Sequence, residues 1–264
     1  MELELIKYLP ETDLEFPPLL FIHGAYHGAW CWEENFLAYF SSRGFSSYAV
    51  SFRGHGKSVI NEELNTCSLS DYVEDVLKTI ELLGQRPVLI GHSMGGAIVQ
   101  KISYLYPDKI TAAVLMSSVP PSGFVKEYWR LLLTNLRKVL AINLFNKGEN
   151  VEFPADLFLS DQLPMKKRSD IISLLQPEST KALGDLCRRI VPKSINNKVP
   201  MLVLGSLSDR FFTAATAVST CKAYNTKLVV FPEISHDMML DPNWGAAADE
   251  IFAFLHKLTP DVRR

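Results

Sequence analysis

A chain of 264 residues, 47% of them hydrophobic, can bury a large core and suits one α/β domain with an insertion better than two independent domains. A formal net charge of −2, with no basic arm or base-reading motif, excludes general nucleic-acid binding, and no run reaches the roughly 18 apolar residues of a membrane span. The opening "MELELIKYLPETDLEF" reads as neither signal nor transit peptide. Cys31, Cys67, Cys187 and Cys221 lack C-x-x-C or zinc-like spacing, so they read as small buried thiols in a cytoplasmic protein with no metal.

Apolar runs recur along the chain at 18–24, 46–52, 87–92, 111–118, 200–206 and 227–233, each closed by a glycine-rich or polar turn. Such continuous runs fit a parallel sheet covered on both faces. Between two of them, Val73, Val76, Leu77, Ile80 and Leu83 follow helical spacing, with Ser70 as the expected N-cap and Gly84 as the close. Strand alternating with helix predicts a doubly wound, mostly parallel α/β fold. The rhythm breaks over 121–198, where "EYWRLLLTNLRKVLAINLF" and "PESTKALGDLCRRIV" read as helices without a strand. The expected organisation is therefore a core at 1–120 and 199–264 with a helical cap at 121–198. The cap carries thirteen Lys+Arg against eight Asp+Glu, a net +5, and the remainder carries −7. Such a cap could draw in anionic substrates or touch a membrane surface, although a merely solvated charged face explains it too.

Within this frame, Gly91-His92-Ser93-Met94-Gly95 is a G-x-S-x-G turn between a strand and a helix. A serine raised on such a turn can act as a nucleophile, and the glycines two positions either side remove side chains that would strike neighbouring backbone. An oxyanion needs waiting N–H donors, for which Met94 and Ala25, in the loop "FIHGAYHGAW", are the candidates. His23, Tyr26 and His27 read as packing of that loop, with Tyr26 also a substrate-contact candidate. Of six histidines, His236 follows the last strand, where the general base of this arrangement belongs; His92 is expected to point away from the attack path and His256 to lie on a surface helix. Asp209, just past the strand at 200–206, is the candidate to orient His236; Asp237 is awkwardly adjacent, and Asp241 is better placed to fix the following helix. "RGHGKS" at 53–58 lacks the first glycine of a phosphate loop, since position 51 is serine, so it reads as a tight turn.

Taken together, "HGAYHGAW", "FRGHGKS", "GHSMGG", "GSLSD" and "SHDMMLDP" resemble the α/β-hydrolase superfamily of serine hydrolases, and the first loop is similar to the branch of plant-type methylesterases and hydroxynitrile lyases. The resemblance covers roughly 1–120 and 199–264 and implies an α/β-hydrolase fold, a Ser93–His236–Asp209 triad with Ala25 and Met94 as oxyanion donors, and no cofactor. The lyases of that branch carry lysine after the catalytic histidine; Asp237 stands there in this chain and argues against lyase chemistry. The expected activity is hydrolysis of a carboxylic ester of a lipophilic small molecule through an acyl-enzyme. Thioester, lactone, C–C or perhydrolysis chemistry and a non-catalytic ligand receptor stay open at the level of sequence. Trp129, Leu131, Leu132, Leu133, Leu136 and Leu140 offer an apolar lining, with Trp129 the expected substrate contact, though leucines at this spacing also build a cap's own core.

Overall fold

In the computed structural model, which describes residues 2–12, 16–60 and 62–262, seven strands form one sheet in the order β1-β3-β2-β4-β5-β6-β7. The strands are β1 (Leu5–Tyr8), β2 (Leu19–Ile22), β3 (Ser47–Val50), β4 (Val88–His92), β5 (Ala112–Met116), β6 (Met201–Ser206) and β7 (Lys227–Phe231). All neighbouring pairs are parallel except β1–β3. β2, β4, β5 and β6 are buried at every residue, which is why their sequences are unbroken apolar runs. β1 was not expected from the sequence. Its four half-buried residues sit at an edge with one neighbour and need no such run. Met1 and Arg264, the outer limits of the expected core, lie outside the described residues.

Alternate residues of each strand feed two cores. Phe21 and Ile90 pack with Trp32, Phe36 and Phe40 on one face, whereas Leu20 and Leu89 pack with Val76, Ile80 and Ile98 on the other. The first face is covered by α1 (Trp30–Trp32) and α2 (Ala38–Ser41), joined by a π-helical turn at Glu33–Leu37, and by the C-terminal helix described below. The second is covered by α3 (Leu69–Leu83) and α4 (Met94–Leu105). The N-cap of α3 is Ser68 rather than the expected Ser70, because Asp71 reaches back to the Ser68 N–H at 2.7 Å and completes a capping box. Gly84, at φ 63°, closes the helix as expected.

Between β5 and β6 the chain forms α5 (Val125–Asn146), α6 (Met165–Leu174) and α7 (Thr180–Leu186), and no strand among the described residues. α6 was not anticipated, and α5 is interrupted by Asn135, whose φ −143° and ψ 39° are not helical. This cap segment is anchored on the 53–58 turn. Gln176 donates to the Gly54 carbonyl at 2.7 Å and accepts from the Gly56 N–H at 2.9 Å. Fully buried Glu178 accepts from Tyr72 Oη at 2.7 Å and lies 3.0 Å from His55 Nε2. The turn itself is fixed by Arg53, which donates to Asp75 at 2.7 Å. After β6 come α8 (Ala214–Tyr224), β7 and α9 (Trp244–Val262). No helix among the described residues is long and apolar enough to cross a membrane.

The strand order reverses direction between β2 and β4. In open parallel sheets the crevice outside the carboxyl ends of the strands at such a switch point is where ligands bind. The loop after β2 and the turn after β4 meet there.

Candidate active site

β4 ends at His92 and α4 starts at Met94, so Ser93 alone makes the turn, at φ 51° and ψ −114°. That conformation is strained for any L-residue, and the surroundings enforce it. A Cβ at Gly91 would stand 2.5 Å from the Gly95 carbonyl, and one at Gly95 would collide with the carbonyl of Ile22. The turn is held by the Ser93 N–H, which donates to the Met116 carbonyl at 3.0 Å, and by the Val119 N–H, which donates to the Ser93 carbonyl at 3.3 Å. The first N–H groups of α4, Met94 included, have no intrahelical acceptor and face the strand ends with the positive pole of the helix.

The loops after β6 and β7 bring an acid and an imidazole to the same rim. His236 Nδ1 lies 3.0 Å from Asp209 Oδ2, and both side chains are about 1% exposed. The N–H groups of Phe211 and Phe212 donate to Asp209 Oδ1 at 2.8 Å each, fixing the carboxylate. Asp241 fixes the loop that carries His236, accepting from the N–H and Oγ of Ser235 at 2.8 and 2.7 Å and from the Asn243 N–H at 2.8 Å. With Nδ1 committed to Asp209, His236 turns Nε2 the other way, where it makes no hydrogen bond to Ser93 Oγ or to any other group. His236, Ser93, Met94 and Ala25 line one cavity of about 360 Å³.

A second, buried set of polar groups braces this rim and was not expected from the sequence. His27 donates from Nδ1 to the Ala25 carbonyl at 2.8 Å and places Nε2 3.2 Å from Asp237 Oδ2. Burial opposes a charge on His27, but the Asp237 carboxylate outweighs it and holds the imidazole pKa above its ordinary value. Burial pushes the Asp237 carboxyl upward in turn, and His27 beside it brings the net shift below the ordinary carboxylate value. Each partner thus favours the charged form of the other, and the pair links the loop after β2 to the loop after β7. His92, expected to point away, instead lines the cavity with its ring centroid 4.8 Å from that of His236. It donates from Nε2 to the His236 carbonyl at 3.0 Å, and burial lowers its pKa to about 3, so it is neutral and holds the His236 loop by its backbone. One ligand atom each from His92, His236 and Asp237 falls within 4.8 Å of the others, while His92 Nε2 is committed to the His236 carbonyl and His236 Nδ1 to Asp209.

Comparison with known proteins agrees with this geometry. Residues 19–248 match the sequence model of the alpha/beta hydrolase family. The chain belongs to the α/β hydrolase family. Methyl jasmonate esterase 1 of Vitis vinifera is 36% identical over 103 residues, 38% of this chain and 38% of that protein. Pheophorbidase of Raphanus sativus is 27% identical over 208 residues, 73% of this chain and 76% of that protein. With several plant relatives the match spans half or less of the relative's own length. A lipase-esterase related protein of Clostridium acetobutylicum superposes with a TM-score of 0.73 at 18% identity, covering 96% of this chain and all of that one, and so shares the fold.

In this α/β hydrolase the remaining sequence candidates divide. Tyr26 lines the cavity, buried, at φ 69° and edge-on to Phe153 and Phe158. Trp129 does not: it is 60% exposed on the outer side of α5, and its neighbours Tyr128 and Leu131 line the cavity instead. Leu133, Leu136 and Leu140 share that outer side and are more than half exposed. The helix has two apolar faces, and residue type alone does not say which one turns inward. His23 holds the first loop, donating from Nδ1 to the Gly24 carbonyl at 2.8 Å while the Phe52 N–H donates to its Nε2 at 3.2 Å. His256 lies exposed on α9.

Proposed function

We propose that this α/β hydrolase is an esterase that cleaves a carboxylic ester of a lipophilic small molecule through a Ser93–His236–Asp209 triad. The observation that carries the reading is the imidazole of His236, tied through Nδ1 to Asp209 and left with an unpartnered, buried Nε2 on the wall it shares with Ser93. His236 takes the Ser93 proton as the hydroxyl attacks the acyl carbonyl, and Asp209 stabilises the resulting imidazolium. The N–H groups of Ala25 and Met94 receive the tetrahedral oxyanion. His236 then protonates the leaving alcohol and activates the water that releases the acid, a sequence that calls for no cofactor. Phe124, Leu131, Val139, Ile142, Phe158 and Phe211 make the cavity wall apolar, which supports a lipophilic acyl or alcohol group. The relatives named as esterases support the same reaction class.

The test is a panel of p-nitrophenyl esters of graded acyl length, with a thioester and a lactone, given to the wild type and to Ser93→Ala. The expected result is ester turnover in the wild type that falls to a small residual in the folded variant. Full activity of Ser93→Ala would remove Ser93 from the chemistry. Fluorophosphonate labelling of Ser93 without turnover of any panel member would make the protein a ligand receptor. Asp209→Asn should cost on the order of 10⁴ in kcat.

A further inference from the structure

The outer side of α5 carries an apolar row, on both sides of the Asn135 break, with nothing packed on it among the described residues. Val125, Trp129, Leu133, Leu136, Leu140 and Leu144 follow one another at intervals of three and four and are 44, 60, 84, 54, 51 and 42% exposed. Val125, Trp129 and Leu133 precede the break at Asn135, and Leu136, Leu140 and Leu144 follow it; within each half the helical spacing puts the three on one side. A single exposed leucine is ordinary on a protein surface; six large side chains in one row are not. Cations border the row on its solvent side. Lys126, Arg130 and Arg137 each follow a stripe residue directly, Lys138 lies beyond, and Lys147 caps the end, against the single acid Glu127. Arg130 is engaged with Glu127 and Lys138 with Asp156, whereas Lys126, Arg137 and Lys147 form no ion pair among the described residues.

We infer that this face of α5 docks on an anionic lipid bilayer, lying in the plane of the headgroups with the stripe inserted and the cations at the phosphate level. The charge pattern selects this occupant. A second copy seated antiparallel on the same face would bring two basic rows together, while an anionic surface complements them. An amphipathic helix with a Lys/Arg-rich border and Trp and Leu on its apolar side is the kind that binds in the interface, and no helix here can span the bilayer. The inner side of the same helix builds the cavity through Tyr128, Leu131, Val139 and Ile142. Among the lining residues, Asn143 and Gly184 are the exposed ones, and Asn143 stands between stripe residues Leu140 and Leu144. The mouth therefore opens beside the docking face, and a lipophilic ester dissolved in the bilayer reaches it without crossing water. That use of the docked state rests on the esterase reading; the docking does not.

The experiment is co-sedimentation of the full chain with vesicles of phosphatidylcholine alone and of phosphatidylcholine and phosphatidylserine in equal parts, for the wild type and for Leu133→Glu/Leu136→Glu. Both substituted side chains are exposed and outside the cavity, so p-nitrophenyl acetate turnover of the double variant should equal that of the wild type, and its melting should confirm the fold. The expected result is binding of the wild type to the anionic vesicles, weak binding to the neutral ones, and about a hundredfold loss in the variant. Wild-type binding no stronger than that of the variant, or equal on both vesicle types, would overturn the inference. So would the absence of vesicle binding together with a dimer in sedimentation velocity that the double substitution abolishes. A wild type that binds anionic vesicles yet hydrolyses no ester would leave docking in place and remove the esterase reading.

Discussion

At the scale of single residues, the proposed reacting groups and their supports differ in how they are encoded. Ser93, Asp209 and His236 each follow a strand-like run, and Gly91 and Gly95 flank the serine, so the constellation can be read from local patterns. The brace formed by His27 and Asp237 has no local pattern, because its partners are far apart in sequence and meet only when the loops after β2 and β7 share a rim. Asp237→Asn tests it. Removing one charge of a buried pair leaves the other without compensation, so the variant should lose about 3 kcal/mol of stability by denaturant unfolding. Ala25 is held through the His27 bond to its carbonyl, so kcat should drop about tenfold with KM little changed, and fluorophosphonate labelling of Ser93 should slow in step. Turnover at the wild-type rate would mean that the brace does not position the oxyanion loop.

At the scale of elements, β2 to β6 and α3 were legible because burial on both sheet faces, or on one helix stripe, leaves its mark on the sequence, whereas the half-buried edge strand β1 was not. α5 shows where that logic stops. Its period identifies an amphipathic helix, but with apolar residues on two faces the hydrophobic pattern cannot decide between Trp129 and Tyr128 as the cavity residue. The anchoring of the cap on the 53–58 turn was equally hidden, since "RGHGKS" reads as a turn whether or not His55 has a partner. Burial works against protonation of His55, yet Glu178 raises its pKa above the unfolded value of about 6.5, with Asp75 adding to the effect. Stability from this pair is therefore complete below about pH 6.5 and fades as pH climbs through the raised folded value. In Glu178→Gln the deficit in melting temperature against wild type should be largest on the acid side of that window and shrink on the alkaline side. A deficit constant with pH would show that His55 does not titrate against Glu178.

At the scale of the whole molecule, parallel strands do two things at once. They point every strand end the same way, which is how residues 93, 209 and 236 converge, and they leave one segment, 121–198, outside the sheet to carry a different charge. The sequence pI of about 6.3 describes the sum and conceals the separation of +5 from −7. A molecule so polarised should be retained on a cation exchanger at neutral pH and low salt despite its net negative charge. Lys126→Glu/Arg137→Glu should elute it early. Passage of the wild type through the column unretained would indicate that the basic face is too diffuse to act as a unit.

The twisted backbone at Ser93 has its own consequence for stability. Glycine adopts a positive φ without the clash that any Cβ suffers there, so Ser93→Gly should be more stable than Ser93→Ala by about 1 kcal/mol in denaturant unfolding, and on the proposed mechanism neither turns over esters. The wild-type side chain acts as a compressed spring. Close-packed glycines and two strand ends keep that spring from relaxing, and if the proposed mechanism holds, the most durable form of this chain is one that cannot work.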